Sequence, residues 1–307
     1  MRTTTSSGRL RSQSISIGSI CRSCGVDGRL LCYNPHMSTL PEPPTTDPLP
    51  PARLAQLPRA LFTGGLLSII GLFLTAPPDS WLGKAKVIGY ALCHQLPERS
   101  FFAHEHQYPL CARCTGMYLG LVTGFLFLIV RGRVKAARLP PTPIVATLVM
   151  FIVIMGVDGV NSTISIIPNA PQLYTTTNVH RLITGTLYGL AISALFPPFF
   201  NGAIWRQPSG ERTIKNWREL VVMLIFVGVE VALVLTQTDY LLLPLTAISV
   251  GGALLLLSIL NSIIWLSTRR LENALTGWRQ LVFPLVFGLA LALIEITALD
   301  ALRAQLT

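Results

Sequence analysis

Seven apolar runs constrain the fold of this 307-residue chain more than any other feature. Each is close to the roughly 20 residues that a helix needs to cross a bilayer. Backbone N–H and C=O groups find no water in lipid, and the runs show no strand-like alternation, so helices are expected. The sequence predicts an all-α fold, a polytopic transmembrane helical bundle of about seven spans. The runs cover approximately 58–77, 115–131, 143–160, 182–200, 219–237, 241–266 and 280–299.

The charge pattern predicts how the bundle is oriented. Only 12% of the residues are charged, against about 25% in ordinary soluble proteins. The net charge of +10 comes largely from three loops, which follow spans two, four and six. Basic loops stay in the cytoplasm, so we predict a multi-pass cell-membrane protein with a cytoplasmic N-terminus. The expected partner is the lipid bilayer, and the charge pattern gives no support to nucleic-acid binding.

Composition divides the chain into three predicted parts. Residues 1–56 are a disordered tail, rich in Ser, Arg, Pro and Thr and without the apolar core of a signal peptide. Residues 57–200 are the core membrane domain, and 201–307 are a three-helix membrane extension. In the tail, Cys21, Cys24 and Cys32 are compatible with a small metal knuckle. A competing interpretation takes Met37 as the true start, so that the upstream segment is not translated.

A cysteine motif precedes the second span. Two cysteines separated by two residues can bind one tetrahedral metal ion, and a third cysteine with an imidazole completes its shell. We predict an extracytoplasmic zinc or iron site on this motif. His104 and His106 are alternative nitrogen ligands. The predicted metal ligands are Cys93, His94, Cys111 and Cys114.

The same thiols allow two other interpretations. Cys111 and Cys114 lie at a helix start beside Arg113, where the helix dipole and the cation favour a thiolate. In a redox protein Cys111 is the nucleophile, Cys114 its partner and Cys93 the resolving thiol, with electrons passing to a quinone or a partner protein. The third interpretation is a structural disulfide with one buried free cysteine. The spacing leaves all three open.

Polar residues in the membrane form a second predicted cluster. Ionisable groups at that depth normally pair inside a bundle, so we expect Asp158 to pair with Arg181 or Arg113. Glu230 and Glu295 are lone acids that fit either proton or cation relays or packing contacts. A transporter that uses Asp158, Arg181 and Glu230 is a further alternative. The predicted cluster is Arg113, Asp158, Asn178, Arg181 and Thr184.

Glycines recur every four residues in two of the predicted spans. Gly116, Gly120 and Gly124 lie in span two, and Gly185 and Gly189 lie in span four. Small residues at this spacing let helix backbones approach closely. We therefore predict that spans two to four pack into one unit around the polar motifs.

These motifs resemble a known family. Residues 93–102 (CHQLPERSFF) and 107–120 (QYPLCARCTGMYLG), with Asp158-Gly159 and Asn178-x-x-Arg181-x-x-Thr184-Gly185, are similar to the signature of uncharacterised prokaryotic membrane proteins, domain of unknown function 2085. The resemblance covers about 85–195. The family pattern often has Gln where this chain has Asn161, and it has no place for His104 or His106, which favours His94. The resemblance brings no known activity with it.

The sequence therefore predicts an integral membrane protein whose clearest chemistry is a zinc- or iron-binding cysteine site. A thiol–disulfide oxidoreductase and a small-solute or ion transporter are the alternatives. Neither a phosphate-binding loop nor a serine triad is recognisable, and whether the protein is an enzyme stays open.

Overall fold

The computed structural model describes residues 59–165, 167 and 171–306. The predicted disordered tail and its three cysteines lie outside this range. The described part is mainly helical, which confirms the predicted all-α class. Its eight helices are α1 (Arg59–Thr75), α2 (Trp81–Leu92), α3 (Ala112–Val130), α4 (Thr142–Ile164), α5 (Asn178–Ile204), α6 (Trp217–Leu235), α7 (Asp239–Thr268) and α8 (Trp278–Leu306).

Seven of these helices coincide with the seven predicted runs. Among the described residues, α3, α4, α5, α7 and α8 are long and apolar enough to cross a membrane. The other two are compatible with the predicted seven spans. The apolar part of α1, Thr63–Thr75, is shorter, and α6 carries three charged residues, Arg218, Glu219 and Glu230. Large apolar side chains such as Met150 and Phe226 are exposed on the helices, as lipid-facing residues are.

The helix α2 was not predicted. Its 12 residues extend about 18 Å, too short to cross a bilayer. It begins after Ser80, whose hydroxyl accepts a hydrogen bond from the Gly83 amide. The Lys84 ammonium donates to the carbonyls of Phe73 (3.2 Å) and Ala76 (2.6 Å) at the end of α1. These bonds hold α2 against the end of α1 and satisfy carbonyls that the helix leaves unpaired.

The glycines of α3 and α5 bring these two helices into backbone contact. A methyl group at Gly120 would collide with the Thr186 carbonyl, and one at Gly185 would collide with the Arg113 carbonyl. Gly189 lies equally close to Met117. The predicted packing role is confirmed, because no larger residue fits at these positions.

Short strands and one turn of 3-10 helix complete the loops. In the loop before α3, a 3-10 turn (Pro97–Arg99) is followed by β1 (Phe102–Ala103) and β2 (His106–Gln107), which pair antiparallel. After α3, β3 (Ala136–Arg138) pairs in parallel with β4 (Ser209–Arg212), which follows α5. The second pair links two loops that the sequence predicts on the same side of the membrane.

We call the two ends of the bundle the cysteine end and the basic end. The cysteine end is where α3 and α5 begin and where α4 ends. The basic end is the opposite one, where α3 and α5 end and where α4 and α6 begin. At the basic end, Glu219 binds Arg133 through two hydrogen bonds of 2.7 Å and Arg131 through one of 2.9 Å. The Glu219 carboxylate raises the pKa of the buried Arg133 above its ordinary value. This network fixes the loop after α3 to the start of α6.

The helices of the predicted extension share a core with the predicted core domain. Val250 of α7 and Ile296 of α8 belong to the same apolar cluster as Cys93. The helix α5 also continues to Ile204, past the predicted boundary at residue 200. The cysteine motif is therefore enclosed by helices from both predicted membrane parts.

Candidate metal centre

The three cysteines of the motif come together. The Sγ atoms of Cys93, Cys111 and Cys114 all lie within 4.8 Å of one another, and none of the three forms a disulfide. Cys93 follows the last residue of α2, Cys111 precedes the first residue of α3, and Cys114 lies in the first turn of α3. This three-cysteine cluster could hold a metal ion. It is the only such group of metal-ligating side chains in the part of the chain that the structure describes.

His94 lies outside the cluster. At Cys93 the chain has left α2 and is extended, with φ −143° and ψ 150°. Successive side chains of an extended segment point to opposite sides, so Cys93 points inward while His94 is exposed. His104 is also exposed, and its Nδ1 lies 2.9 Å from the Asp239 carboxylate. The structure thus brings together three of the four predicted ligands.

The loop that carries the cysteines is fixed by glutamines. The Gln95 amide donates to the carbonyls of Lys86 (2.8 Å) and Pro109 (2.7 Å). The Gln107 amide in turn donates to the Gln95 carbonyl at 2.8 Å. Gln95 has a φ of +50°, an uncommon conformation for a residue other than glycine. This turn sends the chain back so that Cys111 meets Cys93.

Arg303 of α8 fixes the other side of the loop. Its guanidinium donates to the carbonyls of Tyr90 (2.6 Å) and Cys93 (2.9 Å) and lies over the Tyr90 ring. A cation at the end of α2 also suits the negative end of the helix dipole. The last turns of α8 thereby contribute to the position of Cys93.

The three thiols are electrostatically unequal. Hydrogen bonding from the side chains of Cys111 and Cys114 lowers the pKa of the Cys93 thiol to about 2, against the opposing effect of burial. The Cys111 amide also donates to the Cys93 sulfur at 3.4 Å. The bond from Cys114 lowers the pKa of Cys111, but the Cys93 sulfur and burial outweigh it, so that this pKa is raised. Negative charge in the cluster therefore rests first on Cys93.

Asp158 is the centre of the predicted polar cluster. It is fully buried near the end of α4 and forms a salt bridge with Arg113, as predicted. It also accepts hydrogen bonds from the Tyr174 hydroxyl (2.8 Å) and the Thr184 hydroxyl (3.3 Å). Because Arg113 lies between Cys111 and Cys114 in the sequence, this salt bridge ties the cysteine cluster to α4.

Arg181, the alternative predicted partner of Asp158, binds elsewhere. Its guanidinium donates to the Ser162 hydroxyl (3.1 and 3.3 Å) and to the side-chain oxygen of Asn178 (2.8 Å). The Asn178 amide donates to the Ser100 carbonyl at 3.1 Å, and Arg99 donates to the Ser162 carbonyl at 2.9 Å. These bonds connect α4 and α5 to the loop that carries the cysteines.

The two lone acids each have a partner in the neighbouring helix. The Thr123 hydroxyl donates to one oxygen of Glu230, and the Asn261 amide donates to Glu295 at 3.0 Å. Each pair joins two helices, α3 to α6 and α7 to α8, which fits the packing interpretation of these residues.

Two groups of this site had no signal in the sequence. Tyr174 lies in the loop between α4 and α5, and Arg303 lies near the end of α8. Neither belongs to a recognisable motif, because each meets the site only through the tertiary fold. Gln95 and Gln107 lie within the two motif segments, 93–102 and 107–120, and this position could have indicated a role in the loop.

Fold and site together define a class: a polytopic helical membrane protein with a cluster of three cysteines at one end. The family described as "Predicted membrane protein (DUF2085)" matches residues 93–195. These residues run from the first cysteine of the cluster to the second half of α5. This stretch of the chain is therefore similar to an uncharacterised family of membrane proteins, which confirms the predicted resemblance.

Two archaeal proteins are similar to this chain. An uncharacterized protein of Methanocaldococcus jannaschii is 28% identical over 153 residues, which are 46% of this chain and 91% of that protein. An uncharacterized protein of Methanothermobacter thermautotrophicus is 53% identical over 36 residues, which are 12% of this chain and 32% of that protein. No solved structure matches the chain.

Proposed function

We propose that this membrane protein binds one zinc or iron ion through Cys93, Cys111 and Cys114. The observation that supports the proposal is the mutual approach of the three sulfurs to within 4.8 Å. Two sulfurs that bind one tetrahedral zinc at about 2.3 Å lie about 3.8 Å apart. A small contraction of the cluster therefore suffices to hold an ion.

The charges around the cluster suit this assignment. Three thiolates exceed the charge of a divalent ion by one, and such an excess is costly in an apolar site unless cations lie close. Arg303 donates to the carbonyl of Cys93, which places one cation beside the cluster, whereas the charge of Arg113 is already paired with Asp158. The site thus has the soft ligands that select zinc or iron and one cation whose charge opposes the excess.

Three protein ligands leave a fourth coordination position. A closed structural zinc site uses four protein ligands, whereas a reactive site keeps one position for an exogenous ligand. His94 fills the position if its ring turns toward the sulfurs, as predicted from the sequence. A His94→Ala variant separates the two arrangements: loss of metal identifies His94 as a ligand, and retention identifies an open site.

Elemental mass spectrometry of the detergent-purified chain tests the proposal. The background is a full-length variant in which serine replaces the three tail cysteines, Cys21, Cys24 and Cys32. We expect about one zinc or iron per chain in this background, and a loss of at least tenfold in Cys93→Ser and in Cys114→Ser, since each removes a thiolate. The background itself is the matched control. Metal content that is equal in background and variants would contradict the proposal.

A thiol–disulfide oxidoreductase is the second candidate, and the approach of three free thiols to within 4.8 Å of one another also supports it. The Cys93 thiolate attacks a partner's disulfide and forms a mixed disulfide while one partner sulfur leaves as a thiolate. Attack by Cys111 or Cys114 then releases the second partner thiolate and leaves a disulfide in this protein. This order makes Cys93 the nucleophile, whereas the sequence favoured Cys111. A double Cys111→Ser, Cys114→Ser variant should trap the mixed disulfide, visible as a covalent adduct under non-reducing conditions.

We also propose that the cysteine end faces away from the cytoplasm, as the basic loops indicate. A variant without native cysteines can carry one new cysteine at Glu105, which is exposed at the cysteine end, or at Glu272, which is exposed at the basic end. A membrane-impermeant maleimide applied to intact cells should label the Glu105→Cys variant only. Labelling of Glu272→Cys alone would reverse the orientation.

A further inference from the structure

An apolar groove lies beside the cysteine cluster. It has a volume of about 430 Å³ and is formed by α1, α2, α7 and α8. The polar groups in its lining are the Lys84 ammonium, the Thr246 hydroxyl and the indole N–H of Trp81, and the other lining residues are apolar. The groove shares wall residues such as Ile88 and Val250 with the apolar cluster around Cys93. An occupant would therefore lie one layer of side chains from the sulfurs.

The Thr246 hydroxyl has no hydrogen-bond partner among the described residues. The residue is 4% exposed, lies about two turns into α7 and lines the groove. A buried hydroxyl without a partner costs about 1–3 kcal/mol in a folded protein. The residue lines the groove, but its hydroxyl oxygen is covered, so the side chain has to rotate to offer this hydrogen bond to a ligand.

Lys84 is the second polar group of the groove. It is 9% exposed, and two of its three ammonium hydrogens are engaged by the carbonyls of Phe73 and Ala76. No carboxylate forms a salt bridge with it among the described residues. A buried cation without an anion is unfavourable, so this groove suits a ligand with negative charge.

The two polar groups of the groove lie in the early parts of their helices, Lys84 in the first turn of α2 and Thr246 in the first half of α7. Thr246 is seven residues from the start of α7, about 10 Å along the helix, while Gly251 and Leu254 lie further toward its middle. Trp81, at the start of α2, also lines the groove and is 77% exposed. Exposed tryptophans of membrane proteins lie at the level of the lipid head groups. Lys84 follows Trp81 within one helical turn, so the cation of the groove lies close to a residue that suits the interface.

We propose that this groove binds one anionic phospholipid. The phosphate is held at Lys84, an ester carbonyl accepts a hydrogen bond from Thr246, and one acyl chain lies along the apolar wall past Gly251. Gly251 leaves the space for that chain, since an added methyl group there would contact nothing within 4 Å. The lipid closes the side of the cysteine cluster that α2 and α7 line.

Thermal unfolding of the full-length protein in detergent tests this proposal. Dioleoyl phosphatidylglycerol should raise the unfolding midpoint saturably, by about 5 °C or more at saturation, because a ligand that binds only the folded state stabilises it. Dioleoyl phosphatidylcholine has the same chains without net charge and should require at least tenfold more lipid for the same shift. Equal shifts at equal concentrations would overturn the proposal.

Two variants locate the effect. Gly251→Leu fills the groove and should abolish the shift in the unfolding midpoint. Gly228→Leu, at another exposed helical glycine with free space around it, should keep that shift.

Thr246→Val keeps the side-chain volume and should weaken the apparent lipid affinity about tenfold. Thr147→Val, at a half-buried threonine of α4 away from the groove, is its control. An undiminished shift in both Gly251→Leu and Thr246→Val would show that the lipid binds elsewhere and would overturn the proposal.

Discussion

At the basic end of the bundle, Glu219 is held by two arginines and by the Lys215 amide. At the cysteine end, Asp158 is held by one arginine, one tyrosine and one threonine. Both carboxylates are buried, and both join loops to helices. The two ends differ in whether the other buried polar atoms have hydrogen-bond partners.

Buried polar atoms without a partner mark this difference. Among the described residues there are five, and four of them lie in the cysteine half: Tyr108 Oη, Arg113 Nε, Thr246 Oγ1 and Asp300 Oδ1. The fifth is an oxygen of Glu230, in the interior of α6, and none is at the basic end. Native proteins satisfy nearly all such groups, and exceptions accompany function or an absent ligand. Among the described residues, the basic end thus has its buried polar side chains paired, whereas the cysteine half contains most of the unpaired ones.

The largest effect is expected from Glu219→Gln at the basic end. The Arg133 side chain is 7% exposed and would lose its only carboxylate partner among the described residues, which costs about 3–5 kcal/mol. We expect the unfolding midpoint in detergent to fall by about 10 °C while metal content stays unchanged. Glu272→Gln, at an exposed position of the same end, is the control. A loss of metal in Glu219→Gln would remove the distinction between the ends.

Asp158→Asn at the cysteine end should have a smaller effect on stability and a specific one on the site. Asparagine can still accept the Tyr174 hydrogen bond, and Arg113 is 17% exposed, so the expected cost is about 2–3 kcal/mol. Without the carboxylate, Arg113 keeps only its hydrogen bond to the backbone carbonyl of residue 158 (3.1 Å), so it anchors the start of α3 less firmly. We expect metal to be lost to a chelator at least tenfold faster than from the exposed-site control Asp79→Asn. Equal rates would mean that the salt bridge serves stability alone.

Gly185→Ala tests the contact between α3 and α5. The new methyl group meets the Arg113 backbone carbonyl, which cannot move without the helix, so we expect destabilisation by about 1–3 kcal/mol. Gly156→Ala in α4 has free space and should be neutral or stabilising by up to about 1 kcal/mol. Chemical denaturation in mixed micelles measures both. Equal effects would contradict the assignment of close packing to Gly185.

The smallest effect is expected from Gln95→Ala in the loop of the cysteine end. It removes two hydrogen bonds at a cost of about 1–2 kcal/mol. Because Gln95 holds Pro109 near the end of α2, maleimide should label Cys111 several times faster in the variant. Gln280→Ala, an exposed glutamine of the basic end, should leave that rate unchanged. An unchanged rate in Gln95→Ala would assign the order of the loop to Gln107 and Arg303.

Much of the fold could be predicted from the sequence. Long apolar runs identify spanning helices directly, since the bilayer permits few other structures. The helix α2 was not predicted because it is short and contains Lys84 and Lys86, which are typical of a loop. Its lysine at position 84 is buried only because the end of α1 offers carbonyls, and no local pattern encodes that contact.

The candidate site was predictable to the level of residue types. Spacing indicated that Cys111 and Cys114 meet, and Cys93 was a candidate third member whose position the spacing left open. The direction of His94 was not accessible, because it depends on the extended backbone at Cys93 and the turn at Gln95. Whether Asp158 pairs with Arg113 or Arg181 is likewise decided by the packing of α3 against α5.

The backbone contact between α3 and α5 also sets the order in which the protein comes apart. Local opening begins where buried contacts are few. The short helix α2 has only two buried apolar side chains, Ala85 and Ile88, whereas α3 and α5 interlock along their length. Amide hydrogen exchange should therefore be slowest in α3 and α5 and faster in α2. Because Cys93 departs with α2 while Cys111 and Cys114 stay with α3, the cluster would open at one sulfur while the rest of the bundle remains folded.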